Sequence, residues 1–265
     1  MAAKFDLNDD SVVVIIGSGA GGGTMANELA QKGVKSVVLE AGKTLSLEDI
    51  EEGRWQVNPR IAAAVAPRPG FDVGAWARHY ARRLHEGGKY PLVVWPYHSM
   101  VGGVGHAMVS AVEEAVFFHA VARQSPTRVE VKGQNPLTEN YSVLRPEVLE
   151  DSRGERVGAL NRALVEHLLT FDAVLVAGQA KSHCVAWTVE DLLVEVHARD
   201  PRFAERVFLL DDCSSPVVVP GVADFTDPAE VAYARFAEAG MHRVLSTTPM
   251  EEWPGVLGVS RTKEP

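Results

Sequence analysis

The amino-acid sequence predicts an α/β fold: three αβα layers, with a Rossmann-like, mostly parallel sheet covered by helices on both faces. Three observations carry this. Short β-branched runs (VVVII, SVVL, AVLVA, RVFLL) alternate along the chain with stretches that are apolar at helical spacing. Strands alternating with helices throughout imply one parallel sheet covered on both faces. At 265 residues and 46% hydrophobic, the chain has material for one large core or two modest ones. A single α/β domain over residues 1–265 is the expected organisation, with no internal repeat or low-complexity segment.

Residues 11–42 read SVVVIIGSGAGGGTMANELAQKGVKSVVLEAG. A strand over 12–16 leads into a glycine-rich turn, then a helix through Met25, Leu29 and Ala30. Gly33 ends that helix, and a second strand over 36–39 closes on Glu40. In a dinucleotide site Gly17 permits the tight turn, Gly19 lets a pyrophosphate approach, and Gly22 lets helix and strand pack closely. Glu40 would accept the ribose hydroxyls. The competing reading is structural: the same stretch simply supplies two strands and a crossover helix to a parallel sheet.

The composition changes from Leu45. A loop precedes a short helix starting near Pro59, and after the break at 67–70 residues 75–84 are apolar at helical spacing, with Arg78, Arg82 and Arg83 outward. A short strand is expected over 91–95, followed by a glycine-rich loop carrying His98 and His106. Two histidines with no Asp-x-His nearby are more often loop hydrogen-bonders than a metal site, so no metal is assigned. An amphipathic helix is expected over 108–123 and a strand over 128–132. Lys132 would close that strand at its C-terminal end, where α/β proteins bind ligands; a solvated surface charge is the alternative.

A helix is expected over 155–169, a strand over 173–177, and then the turn GQAKSHC leading into a helix through Val185, Trp187, Leu192, Leu193 and Val196. A cysteine at the head of a helix meets the positive end of its dipole, which favours the nucleophilic thiolate, and the turn's N–H groups can face an oxyanion. The other reading of Cys184 is a small apolar residue packed at a strand–helix junction. Residues 206–210 form the next expected strand, ending in Asp211, Asp212 and Cys213, with Cys213 packing or hydrogen-bonding rather than reacting. A helix over 228–239 stopped by Gly240, a short strand over 243–246 and a frayed tail over 261–265 complete the chain.

A net charge of −9 gives no reason to expect nucleic acid or an anionic membrane as partner. Two cysteines are no disulfide framework. The apolar run at 12–16 is too short to span a bilayer. It follows Asp6, Asp9 and Asp10 rather than a basic region, so it does not read as a signal peptide. A cytoplasmic protein is expected.

Two resemblances follow from these motifs. Residues 1–43, including the trailing Glu-Ala-Gly, resemble the FAD-binding start of the glucose–methanol–choline oxidoreductases. LEDIEEGRWQVNP, WPYHSMVGGVGHA, EVKGQNPLTENYSVLRPEV, VLVAGQAKSHCVAWTVEDL and DDCSSPVVVPGVADFTD together resemble the isochorismatase-like cysteine hydrolases, in their nicotinamidase-like branch, over residues 45–265. The second resemblance implies Cys184 as nucleophile, Lys132 as the family's lysine, an oxyanion hole from the N–H groups of Ala180 and Cys184, and a cis peptide at Gln179–Ala180.

The departures matter as much. The family's triad also holds an Asp at the C-terminal end of the first strand, the base that takes the thiol proton and returns it to the leaving amine. Here that strand ends in Gly17, and the family's Asp-x-His metal motif is absent as well. Glu40 is the one stand-in carboxylate we identify. The expected function is therefore hydrolysis of a small-molecule amide through the Cys184 thiolate, impaired by the missing Asp and needing no cofactor. The alternatives are FAD binding at Gly17, Gly19, Gly22 and Glu40, or an inert scaffold. A homo-oligomer is expected in each case.

Overall fold

In the computed structural model, the described residues are 11, 13–16, 32–39, 59–87, 90, 103–221 and 223–255. They separate into two compact units: residues 1–56 with 85–129, and residues 57–84 with 130–265.

In the first unit, β1 (Val13–Ile16) pairs in parallel with β2 (Ser36–Leu39), with Val13 opposite Ser36 and Ile16 opposite Leu39. The expected helix between them and the strand over 91–95 lie outside the described residues. Farther along the unit a helix spans Ser110–Arg123. It was expected to be amphipathic, yet none of its residues is buried, and Phe117, Phe118 and Val121 are exposed. Its end is unusual. Gln124 adopts a left-handed φ of 51°, its N–H donating to Val121 O at 3.3 Å, while Ser125 N–H reaches Ala120 O at 3.0 Å. Glycine is the ordinary occupant of this position, because a Cβ is disfavoured there. Gln124→Gly is therefore expected to stabilise the helix end by about 1 kcal/mol, measured as slowed hydrogen exchange over 117–123; faster exchange would contradict it.

The second unit holds the larger core. Its helices α1 (Pro59–Val65) and α2 (Val73–Glu86) precede a long irregular stretch, then α4 (Arg162–Leu168), taking the Ser110–Arg123 helix as α3. The parallel sheet has the order β3–β4–β7, with β3 Val174–Val176, β4 Val207–Leu210 and β7 His242–Val244. A π-helical turn (Lys181–Val185) runs into α5 (Ala186–His197). A two-stranded hairpin, β5 (Val218–Val219) and β6 (Ala223–Asp224), leads to α6 (Thr226–Glu238). This is a mixed α/β architecture with a parallel sheet flanked by helices, as the alternation of runs predicts.

Strand β4 shows why its run is apolar throughout. Val207 and Leu209 join the main core, with Val165 of α4, Val189, Leu192 and Val196 of α5, and Tyr233 and Phe236 of α6. Phe208 faces the other way and packs with Val244 and Trp253. The α5 residues recur at 189, 192 and 196, the period that places them on one helical face. Gly240 (φ +101°) stops α6: its N–H reaches Ala237 O and that of Met241 reaches Phe236 O, both at 3.0 Å. That pair of bonds is a Schellman cap. A smaller core forms where Trp76, Tyr80 and Leu84 of α2 meet Leu137 and Val148.

Two expectations need correction. Residues 128–132 form no strand among the described residues; Asn161 Nδ2 holds the segment through Glu130 Oε2 at 3.2 Å instead of a ladder. The helix expected over 155–169 shrinks to α4, because the backbone before it is already committed. Asp151 accepts the N–H groups of Arg153 and Glu155, and Leu149 O accepts those of Val157 and Gly158. The helix begins only where Asn161 Oδ1 caps Leu164 N–H at 3.1 Å. No helix among the described residues is long and apolar enough to cross a membrane.

Candidate active site at the carboxyl edge of the sheet

The turn after β3 is built by backbone pinning. Gly178 (φ +118°) donates its N–H to Cys213 O at 3.0 Å and accepts Ser214 Oγ–H at 2.5 Å, which ties it to the residues following β4. The Gln179–Ala180 peptide is cis, the geometry the hydrolase resemblance implies. Lys181 N–H then donates to Ser215 O at 2.8 Å, and Val217 N–H donates to Ser182 Oγ at 2.9 Å. The carbonyl of Ala180 accepts the N–H groups of His183 and Val185, closing the wide turn that starts α5. Every step fixes main chain, so Cys184 is presented from a rigid frame.

Cys184 is half-buried. Lys132 Nζ lies 2.9 Å from its Sγ and donates a second hydrogen bond to Tyr141 O at 2.7 Å. The structure thus joins the two residues that spacing left apart. Among the described residues, no carboxylate hydrogen-bonds to Cys184. Ala180 directly precedes the turn that carries the thiol. Gly17, Gly19, Gly22, Glu40 and His98 lie outside the described residues, whereas His106 is an exposed loop residue. No group of three His, Cys, Asp or Glu side chains gathers among the described residues in a way that could hold a metal. Cys213 is half-buried, with its Sγ 3.7 Å from Asp212 Oδ1.

Around this pair lie groups the sequence reading did not single out. His183 is buried between the rings of Tyr141 and Phe225, with centroids at 5.5 and 4.7 Å, and its Nδ1 meets Ser182 Oγ at 2.8 Å. Burial pushes its ring below the ordinary histidine range, so it is neutral at pH 7. Lys181 is only 4% exposed. Its ammonium sits on Asp211 Oδ1 at 2.6 Å and Glu230 Oε1 at 2.5 Å, and 4.4 Å from the centroid of the Tyr233 ring. Arg243 binds the other oxygens of the same two carboxylates, Asp211 Oδ2 and Glu230 Oε2. Burial disfavours the Lys181 charge, but Asp211 and Glu230 outweigh it and hold the ammonium above its ordinary value.

No family model and no curated protein matches the chain. Solved structures to which it is similar include the yeast nicotinamidase bound to the inhibitor nicotinaldehyde, at 14% identity and TM-score 0.39, covering 88% of this chain and 99% of that one. A nicotinamidase/pyrazinamidase of Acinetobacter baumanii is similar at 14% identity and TM-score 0.34, over 91% and 99% of the two chains. A pyrazinamidase of Pyrococcus horikoshii in complex with zinc is similar at 14% identity and TM-score 0.34, over 88% and 98%.

Proposed function

We propose that the chain is a cysteine hydrolase that opens the C–N bond of a small amide. The observation that carries this is the 2.9 Å contact between Lys132 Nζ and Cys184 Sγ. An ammonium at that distance stabilises a thiolate, and it does so at the carboxyl edge of a parallel sheet, where α/β proteins assemble sites. The thiolate attacks the amide carbon; the C–S bond forms as the carbonyl π pair moves onto oxygen. The N–H groups of Ala180 and Cys184 serve as the oxyanion hole. Collapse of that intermediate breaks the C–N bond, and the nitrogen takes a proton from solvent water and leaves as amine or ammonia. Water then attacks the thioester, releasing the carboxylic acid and restoring the cysteine.

The weak point is proton transfer. Losing a positioned acid–base group typically costs about 10²–10⁴ in rate. The family's Asp is missing from the end of the first strand, with Glu40 the one stand-in carboxylate, so slow turnover is expected. Alkylation separates nucleophile formation from turnover. In a Cys213→Ser background, iodoacetamide is expected to modify Cys184 at pH 7 about tenfold faster than it does in Lys132→Ala, one nearby charge being worth roughly 1 kcal/mol or more to a thiolate. Equal rates would sink the reading.

A flavin at Gly17, Gly19, Gly22 and Glu40 is the second reading, favoured by the in-register parallel pairing of β1 and β2. Purified protein with an absorbance band near about 450 nm, released on denaturation, would support it; colourless protein would not. Self-association belongs to the same proposal, with exposed Phe117 and Phe118 on α3 in its support. Sedimentation at two concentrations tests that.

A further inference from the structure

Loop 139–147 is organised around two carboxylates that the amide chemistry above does not use. Glu139 and Glu147 are joined through backbone, Glu147 N–H donating to Glu139 O at 3.1 Å. From the Glu147 side chain, Oε1 accepts the N–H of Tyr141 at 3.3 Å. The carbonyl of the same Tyr141 holds the Lys132 ammonium at 2.7 Å, and Lys132 in turn meets Cys184. One residue, buried by its ring, therefore carries Glu147 on its N–H and the catalytic lysine on its C=O.

We propose that Glu147 is a positioning residue for the Lys132–Cys184 pair, acting through the Tyr141 main chain, and that Glu139 beside it lets proton uptake tune that position. The proposal rests on the reading that this pair is the nucleophilic one.

The chemistry of the loop supports the second half. Burial, and then the charge of Glu147, push the Glu139 carboxyl up to about 7. Tyr80, reaching over from α2, accepts Glu139 N–H on its hydroxyl at 2.6 Å and is held neutral well above the ordinary tyrosine value. Tyr141 offers Glu147 its N–H and holds the Lys132 ammonium on its carbonyl. Arg145, within the same loop, is turned away onto Asp191 at 2.7 Å. Below about pH 7 Glu139 is a neutral acid and Glu147 keeps its bond to Tyr141. Above it, Glu139 takes on a charge that the nearby Glu147 opposes, and the repulsion draws Glu147 off the Tyr141 N–H. The lysine anchor loosens with it.

The test is the alkylation rate of Cys184 by iodoacetamide in the Cys213→Ser background, divided at each pH by the rate in Lys132→Ala, and the step is the fall in that ratio near pH 7 over and above its gradual approach to unity as both thiols ionise. The ratio is expected to fall through a step near pH 7. Glu147→Ala should lower it about three- to tenfold at pH 6, the range of one hydrogen bond. Glu147→Gln, which keeps an acceptor for Tyr141 N–H, should recover most of that loss and show no step. Glu139→Gln should likewise remove the step. An unchanged ratio in Glu147→Ala overturns the proposal while leaving the pair intact. A parent no faster than Lys132→Ala overturns the functional reading instead. Should Glu147→Ala fail to fold, a step that persists in both glutamine variants overturns the proposal.

Discussion

Replacement of Cys184 by alanine is expected to abolish amide hydrolysis, and Lys132→Met to lower it by about 10²-fold. The two losses differ because the residues act differently. Without Sγ no acyl-enzyme forms, and only uncatalysed attack by water remains. Without the ammonium the thiol is still present, but it has lost its hydrogen-bond partner 2.9 Å away. Ammonia release from a panel of small primary amides measures both. Turnover that survives in Cys184→Ala would exclude covalent catalysis at this residue, whatever the alkylation rates show. Equal losses in the two variants would mean that Lys132 is needed to form the nucleophile at all. The parent rate is itself informative, since among the described residues no carboxylate hydrogen-bonds to Cys184, and without such a base the chain should acylate and then turn over slowly. A thioester that accumulates and is trapped by hydroxylamine would place the defect in deacylation, where proton transfer again needs a base.

The sequence made the carboxyl edge of the sheet readable and left its support invisible. Residues 207–210 and 174–176 are apolar without alternation, and both are parallel strands of the second unit. Cys184 heads a helix as its spacing suggested, although through a π-helical turn that no periodicity announces. The motif resemblance singled out Lys132 and Cys184 but residues 52 apart carry no distance information, so their contact had to come from the fold. What holds that lysine was not legible, because the Tyr141 carbonyl is main chain and has no residue signature. Glu139 and Glu147 look like two solvated charges in the sequence; only the fold buries one beside the other. The helix expected over 155–169 failed for a related reason. Its apolar spacing is genuine from Leu164 onward, but upstream the side chain of Asp151 competes successfully for the backbone N–H groups. Lys181, next to the cis peptide, read as an ordinary polar turn residue, whereas it is the buried centre of an ionic cluster.

That cluster carries the largest expected stability effect. Asp211→Asn should destabilise the protein by about 2–3 kcal/mol at pH 7, read from urea unfolding. Breaking a fully buried pair typically costs about 3–5 kcal/mol, and the lower figure allows for the partial exposure of Asp211 and Arg243 and for Glu230, which still faces both cations. Burial raises the Asp211 carboxyl, but Lys181 and Arg243 outweigh it and hold it below the ordinary range; Lys181 does the same for Glu230. Carboxylates depressed in the folded state contribute stability above their unfolded values, and that stability is lost as pH falls through the folded ones. The difference between parent and Asp211→Asn should therefore be full at pH 7 and shrink toward zero in strong acid. Glu139 works with the opposite sign. Its raised carboxyl binds a proton that the unfolded chain has released, so stability declines as pH climbs from the unfolded value of 4.5 to about 7. Stability should peak on the acid side of neutrality. Asp211→Asn should lower that peak, whereas Glu139→Gln should extend it toward alkaline pH. A loss in Asp211→Asn that is the same in strong acid as at neutrality would show that the carboxylate acts by shape and not by charge. Because Lys181 also anchors its N–H on Ser215 O, immediately before the residues that carry Cys184, loosening its ammonium should slow Cys184 alkylation as well. The charge cluster would then be part of the frame that holds the nucleophile, and not only of the core beneath it.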